Sequence, residues 1–335
     1  MDFLKRLKSY TKEGLIPVKY SKSMELLFRS YKKTLEVHCI DVSLYLPLFD
    51  TFLEFVKEQC CKPFRFESYH QRIVSPFDYY TFGLEFIKPL INLKQSRLMG
   101  LDNLDKMVQQ VENGENVILL ANHQTEADPQ IISILLENKY PEFAASMIFV
   151  AGDRVTSDPL AITFSMGRNL LCIHSKKHID FPPELKSQKL AYNKRTMSRM
   201  RSLLKMGGKC IFVAPSGGRD RPQKEGIIEV EPFNSQSIEM FLLMAKCSKT
   251  VTHFYPFSLA TYSVLPPPDS LGTDLGEDRI VQHTGAHLFF GNELDFSSIS
   301  HKEKGDKLLK KQLRADYAWS LVRENYKILL SKNKF

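Results

Sequence analysis

A histidine and an aspartate five residues apart form the first pair in the sequence that can do chemistry. His123 and Asp128 lie in the segment 122–129, NHQTEADP, directly after the apolar run 117–121. Near neutral pH a histidine can accept a proton from an attacking alcohol, and a carboxylate can fix its tautomer and stabilise the cation that forms. An Asp-Pro pair is also typical of a helix start, so the spacing alone leaves a purely structural role open.

Two arginines in a glycine-containing loop form the second group. Arg219 and Arg221 follow two glycines in the segment 214–222, APSGGRDRP. Glycine lets the backbone approach a ligand closely, and two guanidinium groups one residue apart can hold a phosphate between them. The alternative is that the arginines form surface ion pairs with Asp220 or Glu225, which contribute little to stability.

A third basic segment, HSKKH at 174–178, contains Lys177 and His178 and follows the apolar run 170–173. Taken alone, adjacent lysines usually indicate a solvated surface. However, all three segments follow predicted strands, and the carboxyl ends of parallel strands meet at one edge of a sheet. We therefore expect the three segments to form a positively charged pocket that is suited to a phosphate monoester.

Other catalytic signatures are absent from the sequence. There is no G-x-S-x-G turn for a serine nucleophile and no glycine-rich nucleotide-binding motif. We therefore expect direct attack by a hydroxyl group of the substrate, without a covalent enzyme intermediate. None of the six cysteines forms a C-x-x-C pair or has zinc-ligand spacing, which favours a reducing compartment.

The elements that must position these residues change in kind along the chain. From about residue 101 apolar strands alternate with helices, which predicts an α/β domain with a mostly parallel or mixed central sheet flanked by helices. The predicted strands are 117–121, 147–151, 170–173, 209–214 and 251–260. The predicted helices that separate or precede them are 104–111, 130–137, 189–206 and 237–245.

The first 75 or so residues show helical periodicity instead, with two apolar faces that would bury each other in a small bundle. We therefore predict an N-terminal helical bundle over 1–75 and an α/β catalytic domain over 76–335. The residues of the two faces are Met24, Leu27, Phe28, Tyr31 and Leu35, and then Tyr45, Leu48, Phe49, Phe52 and Val56. A C-terminal helix is predicted to pack on the core through the stripe Leu309, Leu313, Tyr317 and Leu321.

The composition of the 335 residues, 43% apolar and 25% charged, is that of an ordinary globular protein and excludes wholesale disorder. Lysine and arginine number 46 against 38 acidic residues, a net charge of +8 that suggests an acidic partner. A nucleic-acid binder would need a dense basic patch interleaved with aromatics or a known reading motif, and the sequence has neither. No apolar run approaches the ~18 residues of a membrane-spanning helix.

In this order the motifs resemble those of the glycerolipid acyltransferases with the N-H-x4-D motif. The segment 122–129 resembles that motif itself, and the segments 175–178, 214–222 and 255–260 resemble later blocks of one subfamily. That subfamily is the soluble, plastid-type glycerol-3-phosphate acyltransferases and their bacterial relatives. The resemblance extends over roughly residues 101 to 290, and the bundle-then-α/β organisation also agrees with the fold of the family.

The resemblance implies a specific reaction, the first step of phospholipid biosynthesis. An acyl chain passes from acyl carrier protein, or from coenzyme A, to the sn-1 hydroxyl of glycerol 3-phosphate and gives lysophosphatidate. By motif position His123 is the general base and Asp128 orients it, and no metal or cofactor is implied. Four residues would hold the substrate phosphate: Lys177, His178, Arg219 and Arg221.

The sequence leaves alternatives open for the acyl donor, for the cellular location and for the activity. A basic stretch could attract acidic acyl carrier protein, or could be an ordinary solvated helix face. The chain start, MDFLKRLKSY, has neither a secretory signal nor the composition of a transit peptide, which predicts the cytoplasm of a bacterium or, for a mature plant form, the plastid stroma. A peripheral membrane contact for product release stays open. The alternative activities are a 1-acylglycerol-3-phosphate acyltransferase and a non-catalytic scaffold that binds acyl carrier protein. The basic stretch comprises Lys189, Lys194, Arg195, Arg199, Arg201 and Lys205.

Overall fold

A mixed sheet of eight strands forms the centre of the protein. The computed structural model describes residues 2–175, 179–223, 226–268, 275–297 and 307–331. The strands of the central sheet are β1 (Tyr69–His70), β2 (Arg97–Met99), β3 (Asn116–Ala121), β4 (Ile148–Gly152), β5 (Asn169–Ile173), β6 (Cys210–Val213), β9 (Thr252–Ala260) and β10 (His287–Phe290). They lie in the order β1-β5-β4-β6-β3-β9-β10-β2, and a separate two-stranded sheet pairs β7 (Arg221–Pro222) with β8 (Ile228–Glu229).

The five central strands β5, β4, β6, β3 and β9 run parallel, so their carboxyl ends share one edge of the sheet. The outer strands β1 and β10 pair antiparallel with β5 and β9. From β3 the chain continues to β4, toward one end of the strand order. From β6 it continues to β9, toward the opposite end. The carboxyl ends of β3 and β6 therefore meet at a topological switch point, where open α/β sheets bind their ligands.

Helices cover both faces of the sheet. The helices are α1 (Phe3–Lys12), α2 (Val18–Val37), α3 (Leu46–Cys61), α4 (Tyr79–Ile87), α5 (Leu101–Glu112), α6 (Asp128–Leu136), α7 (Pro141–Ser146), α8 (Asp153–Ser157), α9 (Pro159–Met166), α10 (Lys186–Met206), α11 (Ser235–Ser248) and the C-terminal helix (Lys307–Ser331). All six residues of β3 are buried because both of its faces are covered. Val117 and Leu119 pack with α5, α6 and α7, whereas Ile118 and Leu120 pack with α10, α11 and the C-terminal helix.

The N-terminal helices α1 to α3 bury the apolar faces that the periodicity predicts. All five predicted residues of α2 are buried, and so are Phe49, Phe52 and Val56 of α3. This core continues into the α/β part, since the ring of Phe52 lies 5.3 Å from that of Phe164 in α9, and β1 pairs with β5. The division into domains at residue 75 stays a prediction.

The C-terminal helix packs on the core partly through the predicted stripe and mainly through a neighbouring face. Leu309 is 45% exposed, and Tyr317 and Leu321 are only partly buried. The prediction counted large apolar residues, whereas the buried face of this helix also includes two alanines. The buried face comprises Ala315, Ala318, Val322, Tyr326 and Leu329.

The α/β class with a mixed sheet and flanking helices is confirmed. Each predicted strand is present with its bounds shifted by at most two residues, while the short strands at the sheet edges were not predicted. None of the helices in the described ranges has the length and apolar content that a membrane span needs.

Candidate active site

The predicted pair of histidine and aspartate is joined by a hydrogen bond in the turn between β3 and α6. Nδ1 of His123 lies 2.8 Å from a carboxylate oxygen of Asp128, the first residue of α6. The Asp128 carboxylate is fully buried and also accepts hydrogen bonds from the Gln124 amide at 2.9 Å and from the Thr261 hydroxyl at 2.7 Å. Asp128 therefore fixes the turn of its own loop and also holds the imidazole ring.

The position of His123 leaves one ring nitrogen available for chemistry. Since Nδ1 donates to a carboxylate, the neutral ring carries its proton there and Nε2 is the acceptor. The His123 side chain is 30% exposed, in contrast to that of Asp128 at 1%. A partly open acceptor nitrogen supported by a buried carboxylate is the arrangement that general-base catalysis requires.

A second buried carboxylate, that of Asp220, joins the β3 loop to the loop that follows β6. It accepts hydrogen bonds from Asn122 Nδ2 at 2.7 Å, from Gln124 Nε2 at 3.2 Å and from the backbone amide of Glu231 at 3.1 Å. Burial raises the pKa of Asp220 to about 6, although these hydrogen bonds act in the opposite direction. The alternative interpretation of Asp220 as a surface ion-pair partner is therefore wrong.

The same two amide side chains also join the β3 loop to the end of β9. Asn122 accepts from the Leu259 amide at 2.8 Å and donates to the Leu259 carbonyl at 2.9 Å. Gln124 Oε1 accepts from the amides of Thr261 and Tyr262 at 2.7 and 3.0 Å. Three strand ends are thus held together by hydrogen bonds to side chains of the β3 loop, and the loop has little freedom to move.

The arginines of the β6 loop lie at this same edge, because the backbone amide of Asp220 between them donates to the carbonyl of His123 at 2.6 Å. Arg219 is 12% exposed and forms an ion pair with Glu277, and Arg221 donates to the carbonyl of Pro268. Burial lowers the pKa of Arg221, and the positive charge of Arg219 lowers it further. The two guanidinium groups therefore lie near each other, on a loop whose backbone is hydrogen-bonded to that of His123.

The two remaining residues assigned to phosphate binding, Lys177 and His178, lie outside the described residues. The described start of their segment is fixed against α10, since the His174 amide donates to Asn193 Oδ1 at 2.8 Å. The His174 ring also packs on Tyr192 at 5.1 Å, and burial lowers its pKa. The described start of the loop therefore has a structural role against α10.

Four further residues of the site were not predicted as members of it: Arg154, Asp220, Thr261 and Glu277. Arg154 follows β4, and its guanidinium contacts the Glu277 carboxylate next to Arg219. Neither glutamate nor threonine stands in a recognisable motif, and Glu277 is far from its arginine partners in sequence. Only the general rule that every strand end of a parallel sheet faces the ligand edge could have suggested Arg154 and Thr261.

A metal centre finds no support in the part of the chain that the structure describes, where no group of three or more histidine, cysteine or acidic side chains is arranged to hold an ion. The described groups at this edge that can do chemistry are the imidazole, the buried carboxylates and the guanidinium groups.

The sequence of the chain is similar to those of known acyltransferases. The family described as acyltransferase matches residues 99–260, a range that includes His123, Asp128, Arg219 and Arg221. The chain is 37% identical to a chloroplastic glycerol-3-phosphate acyltransferase of Cucurbita moschata, over 90% of this chain and 66% of that protein. It is 36% identical to the chloroplastic glycerol-3-phosphate acyltransferases of Arabidopsis thaliana and Pisum sativum, over 99% and 98% of this chain and 73% of each relative.

Proposed function

The chain belongs to the glycerol-3-phosphate acyltransferases of the chloroplast type, and from that premise we propose that it transfers a fatty acyl group to the sn-1 hydroxyl of glycerol 3-phosphate. The observation that carries the proposal is the hydrogen bond between His123 Nδ1 and the buried Asp128 carboxylate. It supplies a base with a defined tautomer at the ligand edge of the sheet, beside two arginines.

In the proposed reaction Nε2 of His123 accepts the proton of the hydroxyl while the hydroxyl oxygen attacks the carbonyl carbon of an acyl thioester. The tetrahedral intermediate then collapses, the C–S bond breaks, and the proton on the imidazolium passes to the departing thiolate. The products are 1-acylglycerol 3-phosphate and a free thiol, and His123 is neutral again. The Asp128 carboxylate stabilises the transient imidazolium, so no covalent acyl-enzyme is needed.

The substrate phosphate is held, in this proposal, by Arg219 and Arg221 together with Lys177 and His178. A guanidinium group forms two parallel hydrogen bonds with a phosphate, which defines orientation as well as affinity. Binding the phosphate at the β6 loop presents the hydroxyl groups of the same small molecule to His123. Such positioning can lower a barrier by about 7–11 kcal/mol in ideal cases.

Acyl carrier protein is the acyl donor that we favour, with acyl coenzyme A as the alternative. Helix α10 carries an exposed row of cations that includes Lys194, Arg195 and Arg199. An acidic donor protein would be attracted to such a row, and the attraction would raise its association rate. The location that goes with this donor is the plastid stroma for a mature plant form, or the cytoplasm for a bacterial one.

The test is an assay of the purified protein with labelled glycerol 3-phosphate and a panel of acyl carrier protein and coenzyme A thioesters. We expect labelled 1-acylglycerol 3-phosphate, and we expect glycerol, which lacks the phosphate, to be a poor acceptor. Faster acylation of 1-acylglycerol 3-phosphate would instead indicate the second acyltransferase of the pathway. Binding of acyl carrier protein without any product would indicate a non-catalytic scaffold.

A further inference from the structure

The carboxylate of Glu277 lies between two arginines at the ligand edge of the sheet. Nη2 of Arg219 donates to both of its oxygens, at 2.9 and 2.6 Å, and Nη1 of Arg154 contacts one of them. The side chains of Arg219 and Glu277 are only 12% and 7% exposed, so solvent does not screen this pair as it screens ordinary surface pairs. The pair therefore has a defined geometry.

Glu277 engages only one of the three nitrogens of Arg219. Nε and Nη1 of Arg219 form no hydrogen bond with a described residue. A guanidinium group has five N–H donors in a fixed plane, so one side can be held while the other binds an anion. Glu277 thus restricts the direction of the guanidinium group without using all of its donors.

Glu277 is itself fixed to the N-terminal helices. Its carbonyl oxygen accepts a hydrogen bond of 2.5 Å from the hydroxyl of Ser23, which is fully buried in α2. The preceding Gly276 has φ +83°, and a Cβ there would lie 2.9 Å from the ring of Tyr20 in the same helix. The backbone at Gly276 therefore lies directly against α2, and a side chain at this position would push it away.

The same segment is also fixed to the loop of His123. Arg279 is buried, contacts Glu126 of that loop and donates to the Glu277 carbonyl at 2.9 Å. The amide of Gly276 donates to Asp158, the N-cap of α9, at 2.9 Å. The backbone that carries Glu277 is therefore held by α2, by α9 and by the catalytic loop.

We propose that Glu277 is a positioning residue for glycerol 3-phosphate, which orients the guanidinium groups of Arg219 and Arg154 at the phosphate subsite and transmits the position of the N-terminal helices to that subsite. This inference rests on the proposed function, because it takes the phosphate to bind at the β6 loop. It gives α2 a role in substrate binding, although α2 contributes no group to the chemistry.

The first experiment compares Glu277→Gln with the parent enzyme in the acylation assay. The amide keeps the size of the side chain and loses the charge, so Arg219 is held less firmly. We expect the KM for glycerol 3-phosphate to rise about tenfold or more, with kcat and the KM for the acyl donor changed by less than about threefold. A fall in this KM would mean that Glu277 competes with the phosphate, and that result would overturn the proposal.

The second experiment tests whether Glu277 acts through Arg219. In the Arg219→Ala background, Glu277→Gln should raise the KM for glycerol 3-phosphate less than it does in the parent, since only the guanidinium group of Arg154 remains there to be oriented. If the two changes raise this KM independently, so that their fold-changes multiply, the mechanism is contradicted. The matched control is Glu239→Gln, which removes from α11 the carboxylate that forms a partly buried ion pair with Arg314 of the C-terminal helix. This variant should leave the KM for glycerol 3-phosphate unchanged.

The third experiment tests the connection to α2 and stays informative if the Glu277 variants fold poorly. Ser23→Ala should raise the KM for glycerol 3-phosphate severalfold in the parent and should have no further effect when it is combined with Glu277→Gln. Ser21→Ala, on the same helix, is the control and should leave the KM unchanged. An unchanged KM in Ser23→Ala would remove the role of α2. If the parent enzyme does not acylate glycerol 3-phosphate, the proposed function itself fails. If the parent acylates glycerol 3-phosphate and the variants have the same KM as the parent, this inference alone fails.

Discussion

The backbone amide of Asp220 donates a hydrogen bond of 2.6 Å to the carbonyl oxygen of His123. Because Asp220 stands between Arg219 and Arg221 in the chain, this bond holds the backbone that carries the two arginines, proposed here to bind the phosphate, against the backbone of the proposed base. This contact between the two loops does not depend on side-chain rotamers. We therefore expect a short substrate, with a phosphate at one end and hydroxyl groups at the other, to reach both loops.

Replacing His123 by alanine should remove the proposed base and leave the fold intact. We expect kcat to fall by about 10²–10⁴-fold, the usual share of general acid–base catalysis, because the hydroxyl then attacks without losing its proton to a base. The free energy of unfolding should change by no more than about 1 kcal/mol, since the ring is partly exposed and forms one hydrogen bond to Asp128. Initial rates and urea unfolding measure the two quantities. Turnover close to that of the parent would disprove the role of His123.

The raised pKa of Asp220, about 6, predicts a pH-dependent contribution to stability. A carboxyl whose pKa is higher in the folded than in the unfolded protein stabilises the fold fully below the unfolded pKa. This contribution is lost as the pH rises through the folded pKa. The free energy of unfolding of the parent relative to Asp220→Asn should therefore fall by on the order of 2–3 kcal/mol between about pH 4 and pH 6.

The measurement for Asp220 is a series of urea unfolding curves across this pH range. The asparagine side chain at position 220 is uncharged at every pH. The difference in free energy of unfolding between the two proteins therefore reports this one carboxyl. Asp316→Asn, which removes an exposed carboxyl from the C-terminal helix, is the control, and the difference between this variant and the parent should change less with pH than the difference for Asp220→Asn. A difference for Asp220→Asn that does not change with pH would show that the pKa of Asp220 is the same in the folded and unfolded protein, and would contradict this prediction.

Replacing Arg219 by alanine should weaken binding of the acceptor substrate more than it slows the chemistry. One charged hydrogen-bonding group is worth about 1.5–3 kcal/mol, which corresponds to a rise of about 10–100-fold in the KM for glycerol 3-phosphate. Arg29→Ala removes an exposed arginine of α2 and should leave this KM unchanged. If the parent enzyme used glycerol as well as it uses glycerol 3-phosphate, no phosphate subsite would exist.

The sequence predicts the parallel core and the pair of His123 and Asp128 well, because both follow from local rules. Apolar runs of strand length define β3 to β6, and the loops after them share one edge whatever the details of packing. The hydrogen bond between His123 and Asp128 spans only five residues, so a strand-to-helix turn is enough to form it.

The rest of the site depends on contacts between residues far apart in the chain. Glu277 meets Arg219 across 58 residues, and Thr261 meets Asp128 across 133. Asp220 lies between two arginines in the sequence, and proximity alone suggested an exposed ion pair with them. Its burial depends on how the β6 loop packs against Asn122, and no local pattern encodes that packing. The stripe of the C-terminal helix was predicted only in part for a similar reason, since Ala315 and Ala318 are buried there while Leu309 is 45% exposed.

The exposed cations of α10 predict a salt-dependent reaction with an acidic donor protein. Opposite charges raise the association rate at low ionic strength, and salt screens them over about 8–10 Å at physiological concentration. The triple variant with glutamate at Lys194, Arg195 and Arg199 should lower kcat/KM for acyl carrier protein thioesters and flatten its dependence on salt. The same changes should alter the use of acyl coenzyme A far less, because that donor is small and contacts little of α10. Glutamate at the exposed lysines of α1, Lys5, Lys8 and Lys12, reverses the same number of charges as a control. Equal effects of the two triple variants would mean that net charge matters and that α10 is not the docking surface.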